Sequence, residues 1–124
     1  MTEAVELSDA EWQVMNLIWE RHPITAQDVI GTLAEPCRWS PATVRTMLHR
    51  LVKKGALHFT PEGNRYWYRA AVRRADCVRK AARSFLDRVF SGEAAPLLAH
   101  FVRTAKFTPD ELAELRRLLD QQEG

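Results

Sequence analysis

The residues with the clearest chemical pattern lie between Ser40 and Gly55. Read as a helix, this stretch has one apolar stripe at the i, i+3, i+4, i+7, i+8 spacing, formed by Val44, Met47, Leu48, Leu51 and Val52. The opposite face has no carboxylate and carries only hydroxyls, one histidine and cations: Thr43, Arg45, Thr46, His49, Arg50 and Lys53. One face therefore suits a protein core, and the other suits a polyanion.

The charge of the chain is distributed unevenly, although its formal net charge is only +2. Residues 38–74 contain nine cations and one acid, Glu62, which gives a net charge of +8. Residues 1–37 contain seven acids and one cation, Arg21, which gives −6. Phosphate binding depends on the patch that faces the ligand and not on the whole molecule, so this segment has the charge expected of a polyanion-binding surface.

Length and composition limit the class of protein. A chain of 124 residues with 46% apolar residues is long and apolar enough for one folded domain with appended helices. It has no apolar run that could cross a bilayer and no apolar signal segment at its N-terminus, so a cytoplasmic protein is expected. Cys37 and Cys77 match no redox or metal-binding spacing and are predicted to be free thiols.

Three helices are predicted in the N-terminal half. Ser8 and Glu11 form a capping-box pattern, which starts a first helix that runs to about Arg21. Thr25 is predicted to cap a second helix, and this helix is expected to end before Pro36. The third is the amphipathic stretch described above, with a serine cap, a proline in its first turn and a glycine after its last.

A β-hairpin and three more helices are predicted to follow. Aromatic alternation in residues 57–60 and 65–69, on either side of a Pro-Glu-Gly-Asn turn, predicts two antiparallel strands. Helical periodicity predicts one helix over roughly residues 73–90 and a short one over residues 94–102. A second capping box, beginning at Thr108, predicts the last helix.

This order of elements predicts a mainly α protein in two parts. Residues 1–72 are expected to form a winged helix-turn-helix, three helices plus a β-hairpin wing, and residues 73–124 a three-helix dimerisation region. The apolar stripes of the last three helices exceed the needs of a small module and predict a homodimer. The residues expected at its interface are Phe85, Leu86, Val89, Leu97, Leu98, Phe101, Leu112, Leu115, Leu118 and Leu119. A helical subdomain folded back on its own chain is the alternative.

The third helix of a winged helix-turn-helix enters the major groove of double-stranded DNA. Thr43 and Thr46 are suited to contacts with base edges or a thymine methyl group, and Arg45 to a bidentate contact with guanine. The residues expected at phosphates are the later cations, one wing arginine and the cap of the helix: Arg50, Lys53, Lys54, Arg65 and Ser40. The alternatives are a merely solvated charged face and arginines that protect an edge strand.

No feature of the sequence supports an enzyme. The four histidines lie on different predicted elements, and no nucleophile, metalloprotease or phosphate-loop motif is found. We therefore predict no catalytic residue, metal or cofactor. Two other classes stay open: a winged-helix regulator that responds to a small molecule or a metal, and a protein-interaction winged helix that does not bind DNA.

The run from Trp39 to Leu57 resembles the signature of the penicillinase repressors, the BlaI/MecI family. The resemblance continues, at matching spacings, through residues 62–68, 84–88 and 107–112, and so covers nearly the whole chain. It implies a winged-helix repressor that dimerises through its C-terminal helices. It also implies binding to palindromic operators, often those of β-lactam resistance genes.

The resemblance further implies a mode of release. Members of the family are commonly inactivated by proteolysis in the C-terminal region, triggered by a membrane-bound antibiotic sensor. The Asn–Phe pair at which they are cleaved corresponds here to His100–Phe101, which departs from the family at its first residue. The related copper-responsive repressors carry a C-terminal cysteine cluster, and residues 120–124 contain none, so copper sensing is not expected.

Overall fold

The computed structural model describes residues 5–122 of the chain. Its elements are α1 (Asp9–Glu20), β1 (Ile24–Thr25), α2 (Ala26–Cys37), α3 (Pro41–Lys53), β2 (Leu57–Glu62), β3 (Arg65–Ala70), α4 (Arg74–Phe90), α5 (Ala94–Thr104) and α6 (Pro109–Asp120). The predicted class, mainly α with a hairpin after the third helix, is confirmed. Residues 1–4 and 123–124, which belong to the termini where neither a signal segment nor a cysteine cluster is expected, lie outside the described residues.

Side-chain caps determine where the first three helices begin. The Ser8 hydroxyl accepts a hydrogen bond from the Glu11 amide at 3.2 Å, and the Glu11 carboxylate accepts one from the Ser8 amide at 2.9 Å. The hydroxyls of Thr25 and Ser40 each accept from the amide three residues later, both at 3.1 Å. These bonds satisfy amides that a helix leaves without an intrahelical partner, and they confirm the three predicted starts.

The second helix ends later than predicted. α2 includes Pro36 in its last turn, so the expected end before that residue is wrong. A proline so close to the end of a helix removes only its own amide donor, and the turn is closed beyond it. Arg38 adopts a left-handed φ of 57°, and its amide donates to the carbonyl groups of Ala34 and Glu35.

The third helix ends in a Schellman motif. Gly55 has a φ of 84°, a conformation that residues with a Cβ rarely adopt. Its amide donates to the Val52 carbonyl at 3.0 Å, and the Ala56 amide donates to the Leu51 carbonyl at 2.9 Å. This reversal sends the chain directly into β2.

The predicted hairpin forms, with a shorter turn than expected. β2 and β3 are antiparallel, and Glu62 pairs with Arg65 across a two-residue turn. Pro61 and Glu62 therefore belong to the strand and not to the turn. Gly63 occupies the first turn position with a φ of 63°, the conformation that a two-residue hairpin turn requires.

A third strand was not predicted. β1 pairs with β3, with Ile24 opposite Tyr68 and Thr25 opposite Trp67, so the sheet order is β1-β3-β2. Two residues are too few to show alternation, which is the usual sequence signal of a strand. This pairing attaches the hairpin to the chain just before α2.

The core of the N-terminal part forms where α1 and α3 pack with the sheet. Its fully enclosed side chains come from α1, β1, α2, α3, the hairpin and the start of α4: Val14, Met15, Ile18, Ile24, Val29, Val44, Leu48, Leu51, Ala56, Leu57 and Cys77. The Trp19 indole donates to the Val72 carbonyl at 3.0 Å and so holds the segment that follows the hairpin. The apolar stripe predicted for the third helix is therefore the face that is buried.

The chain divides into two compact units, with the boundary between Ser84 and Phe85, inside α4. The functional division predicted at residue 72 stays a prediction. In the second unit, neither α5 nor α6 contains a fully buried residue. None of the helices within residues 5–122 combines the length and the apolar composition needed to cross a bilayer.

One ion pair joins the start of α1 to the end of α3. The Lys54 ammonium lies 2.5 Å from the carboxylate of Glu11 and also donates to the Glu6 carbonyl at 3.0 Å. Glu11 is only 4% exposed. Burial raises the pKa of Glu11, but hydrogen bonds from Lys54 and Ser8 together with the lysine charge outweigh it, so the pKa lies below its ordinary value.

Removing either partner of this pair is expected to destabilise the protein, and by different amounts. Lys54→Met leaves a buried carboxylate without its cation and should lower the free energy of unfolding by about 3 kcal/mol near neutral pH. Glu11→Gln should lower it by only about 1 kcal/mol, because the freed lysine reaches water. Urea denaturation of the three proteins measures both losses. Equal losses would contradict this account of the pair.

The contribution of Glu11 to stability should depend on pH. A lowered pKa in the folded state means that the ionised carboxylate stabilises the fold above the ordinary value of 4.5. This stabilisation is lost as the pH falls through the lowered folded value. The stability difference between the native sequence and Glu11→Gln should therefore be constant above pH 4.5 and shrink below it. Urea denaturation across this range measures the difference, and one that does not change with pH would contradict the assignment.

Candidate nucleic-acid interface

The outer face of α3 is exposed along its whole length. Its exposed side chains are those predicted from the sequence: Thr43, Arg45, Thr46, His49, Arg50 and Lys53. The opposite stripe packs into the core, so the helix has no freedom to rotate its cations inward. The fold therefore presents this row of side chains to the solvent.

The hydroxyl groups on this face already have local partners. The oxygens of Ser40 and Thr43 lie 2.9 Å apart, and the Thr46 hydroxyl donates to the Ala42 carbonyl at 3.0 Å. Because its proton is used within the helix, Thr46 offers an external ligand its oxygen lone pairs and its methyl group.

The cations divide into two groups. In the part of the chain that the structure describes, the side chains of Arg45, Arg50 and Lys53 have no ion pair and no hydrogen bond. Lys54, by contrast, contacts the buried Glu11 carboxylate. This contact gives Lys54 a structural role, and the phosphate contact expected of it would compete with that role.

Aromatic side chains shape one face of the wing. The ring of Phe59 lies edge-on to that of Tyr66, with 4.7 Å between the ring centroids, and is tilted against that of Tyr68, with 5.9 Å between the centroids. Arg65 lies at the start of β3, beside the turn, and is exposed. Burial raises the pKa of Tyr68, and the positive charge of Arg45 opposes part of that rise, so the phenol stays neutral near physiological pH.

A cleft of about 580 Å³ lies where α2, α3 and the wing meet. We call it the wing cleft, and it is lined by Thr25, Ala26, Gln27, Arg45, Asn64, Arg65, Tyr66 and Tyr68. Two residues that the sequence analysis placed on separate elements, Arg45 and Arg65, thus line one cavity. The start of α2 was missed as part of this surface, because β1, which holds it next to the wing, gave no signal in the sequence.

The residues predicted for dimerisation stay accessible in the second unit. The exposed ones are Phe85, Val89, Leu98, Phe101, Leu112, Leu118 and Leu119, while Leu86, Leu97 and Leu115 are half-buried. Six of the ten line one apolar groove of about 590 Å³ between α5 and α6: Leu97, Leu98, Phe101, Leu115, Leu118 and Leu119. The structure thus brings these six together, and the three on α4 and Leu112 do not line this groove.

The bond expected to be cleaved lies on α5. His100 and Phe101 are both exposed, and the centroids of their rings lie 5.8 Å apart. Elsewhere, Cys37 is half-buried and Cys77 buried, and both are free thiols. Among residues 5–122, no three His, Cys, Asp or Glu side chains lie close enough together to hold a metal ion.

Sequence comparison shows which proteins the chain is similar to. A family model described as penicillinase repressor matches residues 7–121. The penicillinase repressor of Bacillus licheniformis is 34% identical over 121 residues, which cover 98% of this chain and 94% of that protein. The methicillin resistance regulatory protein MecI of Staphylococcus aureus (strain N315) is 34% identical over 116 residues, covering 94% of each.

Structural comparison agrees with the sequence. The solution structure of monomeric Bacillus licheniformis BlaI in complex with the blaP half-operator matches with a TM-score of 0.54 and 41% identity. The match covers 61% of this chain and 93% of the BlaI chain. The family model matches almost the whole chain, and the relatives are similar to it over nearly their full length. The chain therefore belongs to the penicillinase repressor family.

Proposed function

We propose that this protein is a cytoplasmic, homodimeric transcriptional repressor that binds palindromic DNA operators. The observation that carries the proposal is α3, a helix whose apolar stripe is buried. Its opposite face exposes two threonines and three cations that have no ion-pair partner within residues 5–122. Membership in a family of repressors supports it. So does the similarity to BlaI, a protein solved in complex with a half-operator.

The N-terminal half of α3 is proposed to read bases. Arg45 carries a planar guanidinium that has no ion pair with any described residue, and such a group contacts guanine through two parallel hydrogen bonds. Thr43 and Thr46 flank it on the same exposed face. The Thr46 oxygen and methyl group are suited to a donor on a base edge and to a thymine methyl group, respectively.

A second group of residues is proposed to contact phosphates. Arg50 and Lys53 lie further along α3, and Arg65 lies on the wing. The capped N-terminus after Ser40 adds backbone amides and the positive end of the helix dipole. Phosphate contacts position the helix in the groove and carry no sequence information of their own.

Dimerisation is proposed to cover the apolar groove between α5 and α6. Its walls are mostly leucines, with two alanines, one glutamine and Phe101, whose exposed fraction is 47%. An exposed apolar groove on a small protein marks an association site, and a second copy is the partner that a palindromic operator requires. The two recognition helices would then enter successive major grooves, about 34 Å apart, and exclude the polymerase sterically.

Release is proposed to follow proteolysis in α5, as the resemblance implies. His100 and Phe101 are exposed residues of α5, the helix that carries half of the apolar groove. Cleavage there separates α6 from the rest of the chain and so dismantles the proposed interface. A membrane-bound sensor system is the proposed trigger.

Arg45→Ala should weaken binding to a preferred duplex by about 1–3 kcal/mol and relax the preference at one base pair per half-site, because a bidentate base contact is lost. The duplex is first selected from a random pool by the native protein. Fluorescence anisotropy then compares it with singly substituted duplexes. Arg69→Ala, at an exposed wing arginine that does not line the wing cleft, is the control. An unchanged preference between selected and scrambled duplexes would show that Arg45 does not read a base.

Lys53→Ala should weaken binding to all duplexes alike and reduce the slope of log affinity against log salt concentration by about one, because a single phosphate contact is lost. Lys54→Met is the matched comparison, since its neighbouring ammonium is held by Glu11. It should leave the slope unchanged under conditions where the protein is folded. A reduced slope in Lys54→Met and not in Lys53→Ala would reverse the assignment of the two lysines.

Phe101→Glu should weaken the dimer by about 2 kcal/mol or more, because a charge replaces a central aromatic contact. Val102→Glu is the matched control, since Val102 is 61% exposed on the same helix but does not line the groove. Sedimentation equilibrium measures both dissociation constants. Cleavage within residues 98–103 should have the effect of Phe101→Glu. Equal dissociation constants for the two substituted proteins would contradict the proposed interface.

A further inference from the structure

We propose that the wing cleft binds a small aromatic phosphate of the nucleotide class, and that this ligand and the operator exclude each other. The cleft lies in the first unit, and the residues proposed for dimerisation and proteolysis belong to the second. Its lining combines cationic, aromatic and amide groups. Each kind of group matches one part of such a ligand.

The cationic groups provide a site for the phosphate. Arg45 and Arg65 reach the cleft from α3 and from the wing, and neither side chain has an ion pair or a hydrogen bond among residues 5–122. Ala26 and Gln27 add the first backbone amides of α2, which a helix leaves without an intrahelical partner. The Thr25 cap satisfies only the amide of Asp28. Two guanidinium groups and a helix start in one cavity form a strong anion site.

The aromatic groups provide a platform for a ring. Tyr66 and Tyr68 both line the cleft, and Phe59 packs against both of them at 4.7 and 5.9 Å. These contacts restrain the tyrosine rings before any ligand arrives. A restrained aromatic face stacks with the ring of a nucleobase and does not require one particular base.

The size of the cleft indicates a ligand larger than a lone phosphate. Its volume of about 580 Å³ is in the range of cavities that hold small organic ligands, roughly 300–1,000 Å³. The side-chain amides of Gln27 and Asn64 add donors and acceptors at its rim. Such amides match the polar edge of a base or the hydroxyls of a sugar.

Mutual exclusion rests on the proposed function. That function assigns Arg45 to a base and Arg65 to a phosphate, and a ligand held by both side chains would withdraw them from DNA. The repressor would then be released reversibly, with its chain uncut. Binding of the ligand to the free protein does not depend on this step and is measured separately.

Isothermal titration calorimetry of the full chain without DNA tests the site, with adenosine monophosphate as the ligand. We expect saturable binding at one site per chain. Adenosine and inorganic phosphate, which each carry one half of the ligand, should bind at least about tenfold more weakly, because a charged or a stacking contact is lost. Arg45→Gln and Arg65→Gln should each weaken binding of adenosine monophosphate by about tenfold or more. Arg69→Gln, at a wing arginine outside the cleft, should not.

A competition experiment at constant ionic strength tests exclusion. Adenosine monophosphate should displace the selected duplex, with the apparent dissociation constant of the duplex rising linearly with the concentration of the ligand. No heat of binding, or binding unaffected by Arg45→Gln and Arg65→Gln, would overturn the site even if the same protein binds its duplex. A ternary complex of protein, ligand and duplex would overturn the exclusion. Failure to bind any duplex would instead overturn the proposed function and leave the calorimetric result to decide the site.

Discussion

The burial of the apolar stripe of α3 is the constraint on which the rest of the protein depends. Val44, Leu48 and Leu51 are enclosed by α1, α2 and the sheet, so the rotation of α3 about its own axis is fixed by packing. Turning the helix by half a revolution would expose these side chains and bury three cations without partners. The orientation of the cationic face is therefore a consequence of the core.

Local hydrogen bonds at the ends of the helices convert this packing into a defined surface. The Ser40 cap and the Gly55 reversal fix the first and last residues of α3, so its exposed side chains have fixed positions along the axis. The Lys54–Glu11 pair then holds the C-terminal end of α3 against the start of α1. The ammonium of this exposed lysine is thereby engaged by Glu11, although the sequence pattern alone groups Lys54 with the cations beside it.

The features that were predictable from the sequence are those encoded by neighbouring residues. Ser8 with Glu11 and Thr108 with Glu111 form caps across three residues, and both are found in the structure. The helical stripes and the hairpin are also local patterns. The two-residue β1 carries no periodicity, and its pairing with Tyr68 and Trp67 joins positions more than forty residues apart, so no local pattern encodes it.

The same limit applies to the candidate site. The exposed face of α3 follows from its own amphipathic pattern and was predicted residue by residue. The partner of Lys54 lies 43 residues away, and no spacing within α3 distinguishes Lys54 from Lys53. The wing cleft depends on three elements that meet only in the fold, so its lining was beyond the reach of sequence patterns. The family resemblance predicted the role of this surface, and the fold showed which residues line it.

Thr25 couples the hairpin to α2, because it has three structural roles at once. It is buried, it pairs with Trp67 as part of β1, and its hydroxyl caps α2. Because no flexible residue separates the strand pairing from the helix cap, a displacement of the hairpin is transmitted to the start of α2. We therefore expect the hairpin to move together with α2 and not independently of it.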